Sequence, residues 1–269
     1  MCTILYLFGV HPELPLIVAA NRDENYARAA RPPGLIDGTP RVLAGSDLRA
    51  GGTWLGVNED GIVVGLTNQR TLRLPRADAP SRGEVVLRAL RARGIDEIVE
   101  QLHTLEPARY NAFNLLFGNA ERLLAAYVRP ELAEVEIETV APGIGVLPND
   151  RIGAPGFPKA ERAIELSRPR AQAPWGELSK HLESILADHS LAPLEALPTP
   201  PPDSPFTRER LHAHSAICTH TESYGTCSAT LIALGPDRLH SYLHADGPPC
   251  RARFSEYSDQ LWQPSPGGT

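Results

Sequence analysis

Cysteine is scarce in this chain: Cys2, Cys218, Cys227 and Cys250 are the four in 269 residues. Four cysteines at this length cannot build a disulfide scaffold, and their spacings contain no zinc-type CxxC pair, so they read as free thiols of a cytoplasmic protein. A basic excess is also missing. Lys plus Arg is 26 against 32 Asp plus Glu, a formal net charge of -6, which removes any global attraction to nucleic acid or to an anionic membrane. No apolar run approaches the ~18 residues of a bilayer span. The first residues carry no basic stretch before a short apolar run that stops at Gly9, so a secretory leader is not expected either. Phosphate-binding glycine loops, a dinucleotide fingerprint and HExxH are absent.

What is present is enough apolar residue, 42%, to bury a large core. Apolar runs at 3–8, 16–20, 53–57 and 62–67 read as strands, and Asn58-Glu59-Asp60-Gly61 between the last two supplies a hairpin turn with glycine where a positive φ is needed. The period then changes. Ser81-Arg82-Gly83-Glu84 has the form of a capping box ahead of Val85, Val86, Ala89 and Leu90, and Asp96 is placed to cap a second helix carrying Ile98, Val99 and Leu102. Strands resume at 112–117, 122–128 and 134–140, with a Gly118-Asn119 turn between the first two. Helical spacing returns at 159–166 and 174–189, the latter opened by a proline. Strands are expected last at 212–220, 229–234 and 238–244.

Prolines 198, 200, 201, 202 and 205 crowd the stretch 194–205. The strands after it are too few to form a core alone, so it reads as an excursion loop within a single domain covering 1–269, with a loose tail after about 262. Strands, helix pair, strands, helix pair, strands is an order that fits an α+β protein: two antiparallel sheets packed together, with helices over the outer faces.

Cys2 is the sharpest chemical feature. Removal of Met1 would expose its α-amine, whose ordinary pKa of ~7.7–8.0 lets it act as a base on the same residue that carries the thiol nucleophile. The competing reading is a small apolar residue at a strand start.

Several motifs bear on that choice. Met1-Cys2-Thr3 is followed by Ala20-Asn21-Arg22-Asp23-Glu24-Asn25, then Gly51-Gly52-Thr53-Trp54-Leu55-Gly56-Val57-Asn58, Gly61 and Gly65-Leu66-Thr67-Asn68. Pro148-Asn149, Phe157-Pro158-Lys159 and Tyr224-Gly225-Thr226 come later. Together, from residue 2 to about 245, they resemble the family named after its Asn-Arg-Asp-Glu motif, which includes the transport and Golgi organisation protein 2 group. That family is in turn similar to N-terminal-nucleophile hydrolases of the choloylglycine hydrolase and penicillin V acylase type, which are four-layer αββα sandwiches. The resemblance implies that Cys2 attacks an amide carbonyl of a small-molecule substrate, that Asp23 orients the Cys2 amine, and that Asn68 and Asn149 are the two asparagines of the site, Asn68 donating to the oxyanion. Asn68 and Asn149 also border expected turns, where asparagine is common for backbone reasons.

Two departures accompany the resemblance. Ala20 fills the slot where the hydrolases carry an arginine, and the arginine here is Arg22, beside Asp23. Cys227 stands where the motif family has an arginine after Gly-Thr. The resemblance leaves two functions side by side: a hydrolase or acyltransferase using Cys2, with no cofactor, or, as it implies for the motif family, a carrier that kept the fold and serves haem or lipid-related trafficking. For the carrier, His212, His214, Cys218 and His220 are the haem candidates. On one strand they would share a face but spread over about 26 Å at ~3.3 Å per residue, so at most a neighbouring pair could share one metal or haem. His240 and His244 read as residues of a half-exposed strand. No metal site is expected.

Overall fold

A computed structural model of the protein describes residues 3–262. Met1, Cys2 and the tail after 262 lie outside the described residues. The first strand, β1 (Thr3–Phe8), is buried at every position. Ile4, Tyr6 and Phe8 enter one apolar cluster, Leu5 and Leu7 another. A strand whose alternate side chains are all apolar must be covered on both faces, and the rest of the chain supplies both covers.

In chain order there follow β2 (Leu16–Asn25), β3 (Ala30–Ile36), β4 (Val42–Asp47), β5 (Leu55–Asn58) and β6 (Val63–Asn68), then helices α1 (Arg82–Leu90) and α2 (Ile95–His103). Next come β7 (Phe113–Gly118), β8 (Leu123–Val128), β9 (Glu136–Thr139) and β10 (Gly143–Leu147), then α3 (Pro158–Ser167), α4 (Trp175–Leu186) and the short α5 (Arg208–Ala213). The last strands are β11 (Tyr224–Leu234), β12 (Leu239–Ala245) and β13 (Ser255–Glu256). They form a six-stranded sheet, β10-β1-β2-β11-β12-β13, and a seven-stranded sheet, β3-β4-β5-β6-β7-β8-β9. Every pairing is antiparallel.

The inner faces of the sheets meet through Ile4, Tyr6 and Val18 on one side and Val57, Leu116 and Tyr127 on the other. Gly65 lets β1 come close to β6, since a Cβ there would lie 2.8 Å from Ile4 Cδ1. The outer face of the larger sheet packs Val64, Phe113 and Leu115 against Val86 and Leu90 of α1 and Ile98 and Leu102 of α2. The outer face of the smaller sheet packs Leu5, Ile17 and Leu231 against Ala163 of α3 and Leu178, Leu182 and Ile185 of α4. The result is the expected four-layer αββα sandwich. Among the described residues, no helix is long and apolar enough to cross a membrane.

Local expectations fare unevenly. Gly61 adopts φ +75° in the β5–β6 hairpin, and Asn119 Oδ1 accepts the Glu121 and Arg122 amides in the β7–β8 turn. The helix ends differ. Ser81 flanks α1, but its hydroxyl makes no capping bond. The residue capping α2 is Gly94, while Asp96 sits in the first turn and pairs with Arg122.

The strand expected at 212–220 does not form. Thr207 Oγ1 accepts the Arg210 amide and starts α5, which spends its single buried side chain, Leu211, on a small cluster with Ala192 and Leu197. From His214 to Ser223 the backbone is irregular, apart from a bridge between His220 and Gly225. The proline-rich stretch is a loop with one 3-10 turn, Leu194–Ala196, pinned where Ser204 Oγ donates to the Leu72 carbonyl at 2.8 Å.

Candidate functional site

The motif segment Asn21-Arg22-Asp23 forms the far end of β2, and strand alternation sends its side chains to opposite faces. Asn21 and Asp23 face the α3–α4 layer. Asn21 Nδ2 donates to the carbonyls of Leu186 at 2.8 Å and Ile217 at 3.0 Å. Asp23 is buried. Its Oδ1 accepts from Thr226 Oγ1 at 2.7 Å, its Oδ2 lies 3.7 Å from Lys159 Nζ, and its carbonyl accepts from Tyr224 OH at 2.9 Å. This accounts for the motif residues Lys159, Tyr224 and Thr226: all three hold the Asp23 segment.

Arg22 points the other way, on the face it shares with Ala20, so the departure at Ala20 leaves a guanidinium two residues along on the same side. Its Cζ lies 4.7 Å from the centroid of Trp54, and Nη2 is buried with no hydrogen-bond partner among the described residues. A desolvated guanidinium with an open donor is suited to take an anionic or carbonyl oxygen.

Both neighbours of β1 bring candidate residues to its beginning. Thr3 pairs with Asn21 of β2 and Ile4 pairs with Leu147 of β10. Pro148 and Asn149 continue from β10. Asn149 is 1% exposed, and its Nδ2 donates to the Asn68 carbonyl at 2.6 Å while its own carbonyl accepts from Arg70 N at 2.7 Å. Asn149 Oδ1 is buried without a partner among the described residues. The structure therefore joins Asn68 and Asn149 directly, through the backbone of one and the side chain of the other.

Beside them lies a residue the sequence reading passed over. Asn114 of β7 is fully buried, donates to Thr67 Oγ1 at 3.1 Å and to the Asp150 carbonyl at 3.2 Å, and leaves its Oδ1 unpartnered among the described residues. The available signal was a single amide in the otherwise apolar strand Phe113-Asn114-Leu115-Leu116.

Two of the cavities at this end of the sandwich share Arg22 and Trp54. One of 450 Å³ is lined by Arg22, Trp54, Thr53, Asn68 and Arg28. The other, of 620 Å³, shares Arg22, Trp54 and Arg28 and continues along Cys227, His220 and His244. Arg22 and Trp54 thus form the wall between them. Cys227 is the extra residue of a bulge in β11, between Thr226 opposite Asp23 and Ser228 opposite Arg22, and burial pushes its thiol pKa up. Cys2 itself lies outside the described residues.

The histidine candidates separate. His212 is on α5. His214 is buried against the Tyr224 ring, with centroids 4.9 Å apart, and burial lowers its pKa to about 4. His244 is buried on β12 with its Nδ1 2.9 Å from Thr230 Oγ1. His240 packs edge-on against Trp175. Cys218 and His220 leave the other two and meet His189 and Cys250, with all four ligand atoms within 4.8 Å of one another. Of the four candidates only the neighbouring pair Cys218 and His220 shares a centre, as the spacing allowed, although 212–220 is not a strand and the other two donors come from distant segments.

The sequence profile of the family described as Transport and Golgi organisation 2 matches residues 1–244. A Transport and Golgi organization protein 2 homolog from Bos taurus is 30% identical over 255 residues, covering 88% of this chain and 90% of that protein. Among solved structures, a variant of the conjugated bile acid hydrolase from Clostridium perfringens aligns over 96% of this chain and 97% of its own, with 11% identity and a TM-score of 0.49. Penicillin V acylase from Agrobacterium tumefaciens aligns over 97% and 88%, with 14% identity and a TM-score of 0.46. The profile match over nearly the whole length and the bovine relative identify the chain as a member of the Transport and Golgi organisation 2 family.

Proposed function

We propose that this protein is an N-terminal-nucleophile hydrolase or acyltransferase, acting on a non-peptide amide of a small molecule, with Cys2 as nucleophile once Met1 is removed. The observation that carries the reading is the strand register at the start of β1. Cys2 is bonded to Thr3, Thr3 pairs with Asn21 beside Arg22 and Asp23, and Ile4 pairs with Leu147 beside Asn149. This register supports the reading by bringing residues from distant parts of the sequence to the start of β1, the strand that Cys2 precedes.

In this reading the Cys2 thiol loses its proton to its own α-amine and attacks the carbonyl carbon, forming a C–S bond and an oxyanion. The amine then passes the proton to the leaving nitrogen as the C–N bond breaks. Water, or an acceptor nucleophile for an acyltransferase, finally cleaves the thioester. Asp23 aims the amine. Asn149 and Asn68 supply amide groups to the oxyanion side. Arg22, with its open Nη2 against Trp54, holds an oxygen of the substrate in the shared wall of the two cavities.

Two measurements test this. Intact mass of the purified native chain should show Met1 absent, and a short pulse of thiol-alkylating reagent near neutral pH should label Cys2 ahead of Cys218, Cys227 and Cys250. Cys2→Ala should abolish labelling and turnover of an acyl-amide library with the melting temperature almost unchanged. Retained Met1 with inert Cys2 would sink the enzyme reading and leave the carrier.

A further inference from the structure

Among the described residues, His189, Cys218, His220 and Cys250 bring four metal-binding side chains together. We propose that these four residues form a closed zinc site that ties three loops together at the rim of the 620 Å³ cavity. Three of the four donors are already at tetrahedral separations, and the fourth, on His189, lies within 4.8 Å of them, so its side chain closes in by about 1 Å on binding. Cys218 Sγ is 3.8 Å from Cys250 Sγ and 3.7 Å from His220 Nε2, and His220 Nε2 is 3.3 Å from Cys250 Sγ. A tetrahedral zinc with Zn–S about 2.3 Å and Zn–N about 2.0–2.1 Å requires S···S near about 3.8 Å and S···N near about 3.5 Å.

The surroundings favour coordination over simple thiol packing. His189 Nδ1 lies 2.9 Å from the Cys218 carbonyl. A carbonyl only accepts, so Nδ1 carries the proton and Nε2 keeps the lone pair a metal needs. This is the outer hydrogen bond by which metal-bound histidines are oriented. The Cys218 amide donates to the Asp188 carbonyl at 2.8 Å, which fastens the same two segments by their backbones.

The donor set also selects the metal. Two sulfurs disfavour magnesium and calcium, which take oxygen ligands, whereas two thiolates with two imidazoles suit zinc. Two thiolates neutralise the ion's charge, so the partly buried site carries no net charge, and binding releases the two thiol protons to solvent. With four protein ligands there is no open position for substrate, so the role is structural.

The placement explains what the cross-link would do. His189 lies just after α4, Cys218 and His220 lie in the irregular segment leading into β11, and Cys250 follows β12. These loops lack regular secondary structure. His220 lines the 620 Å³ cavity, and Thr226, which anchors Asp23, accepts the amide of Thr219 between two ligands. A zinc there would hold that cavity wall in register with β2. The inference is independent of any chemistry at Cys2.

The test is metal analysis of the full-length chain purified without chelator, followed by cobalt titration of the stripped, reduced protein. One zinc per chain is expected, with cobalt giving thiolate-to-metal charge-transfer absorption that zinc abolishes. Cys250→Ser and His220→Ala, both at positions that are not fully buried, should lose stoichiometric zinc and the charge-transfer signal, while Cys227→Ala keeps both. A reduced chain that takes up neither metal overturns the proposal. So does equal binding by the ligand variants, or a Cys218–Cys250 disulfide in place of metal in anaerobically isolated protein.

Discussion

Acidification should weaken this fold through two buried histidines before its carboxylates respond. His214 is 8% exposed and His244 is 2% exposed. Burial lowers both pKa values to about 4, with Arg210 and Lys159 adding to the effect at His214, and Asp246 opposing it at His244. In the unfolded chain both return to about 6.5. Between those values the unfolded state binds more protons, so stability is complete above about 6.5 and is lost as pH falls through 6.5 towards 4. A depression of that size is worth about 3 kcal/mol per histidine once both states are protonated, and about 2 kcal/mol per histidine at pH 5. The pair together would remove about 4 kcal/mol between pH 7 and pH 5, against a typical total of about 5–15 kcal/mol. Asp47, Asp188 and Glu256 have lowered pKa values, so their contributions are lost only at still lower pH. Urea melts of wild type, His214→Gln and His244→Gln at pH 8, 7, 6 and 5 measure the effect. Each variant should show about half the wild-type slope of unfolding free energy against pH over this range. Identical slopes in all three proteins, or NMR titration of either ring near its ordinary pKa, would refute the reasoning.

Asn58→Ala should cost about 2–4 kcal/mol in urea denaturation, because this fully buried amide donates to the Leu90 and Ala92 carbonyls and accepts from the Asp60 and Ile62 amides. A loss below about 1 kcal/mol would mean water replaces those bonds. Gly52→Ala should cost about 2 kcal/mol or more, since φ is +73° and a Cβ would lie 2.2 Å from the Gly83 carbonyl carbon. Gly51→Ala, at φ +69° with open space around it, should cost only about 1 kcal/mol. Equal melting temperatures for the two glycine variants would contradict the clash.

The elements that could be read from the sequence are those buried on both faces or carrying an uninterrupted helical stripe, because burial forces a pattern onto the residues. β1, β6, β7, β8, α1 and α4 are of this kind. β3 and β10 escaped the reading because each sits at a sheet edge, where one partner strand suffices and little apolar residue is required, whereas β4, interior and buried, escaped it because Val42-Leu43-Ala44 is an apolar run too short to stand out. β3 even tolerates Pro32-Pro33, at a register shift between Arg31 and Gly34. The stretch 212–220 was misread for the opposite reason. Its even-numbered histidines imitate strand alternation, but Arg208-Glu209 after Thr207 starts a helix that alternation cannot register.

Candidate site residues divide along a similar line. Arg22 and Asp23 are adjacent in sequence, and strand geometry alone sends one towards Trp54 and the other towards Lys159. The join between Asn68 and Asn149 needs the crossing from β6 to the end of β10, which no local pattern encodes. Asn114 shows only as one polar residue in an apolar strand. The thiol–imidazole cluster is the extreme case. Cys218 and His220 are two residues apart, but their other partners come from the end of α4 and the loop after β12. Each donor taken singly is a common surface or loop residue. Only the antiparallel pairing of β11 with β12, together with α4 packed across the same sheet, gives the four a common centre. A metal site built this way leaves no spacing motif, so it has to be sought in the fold, and zinc content measured on the ligand variants bears directly on it.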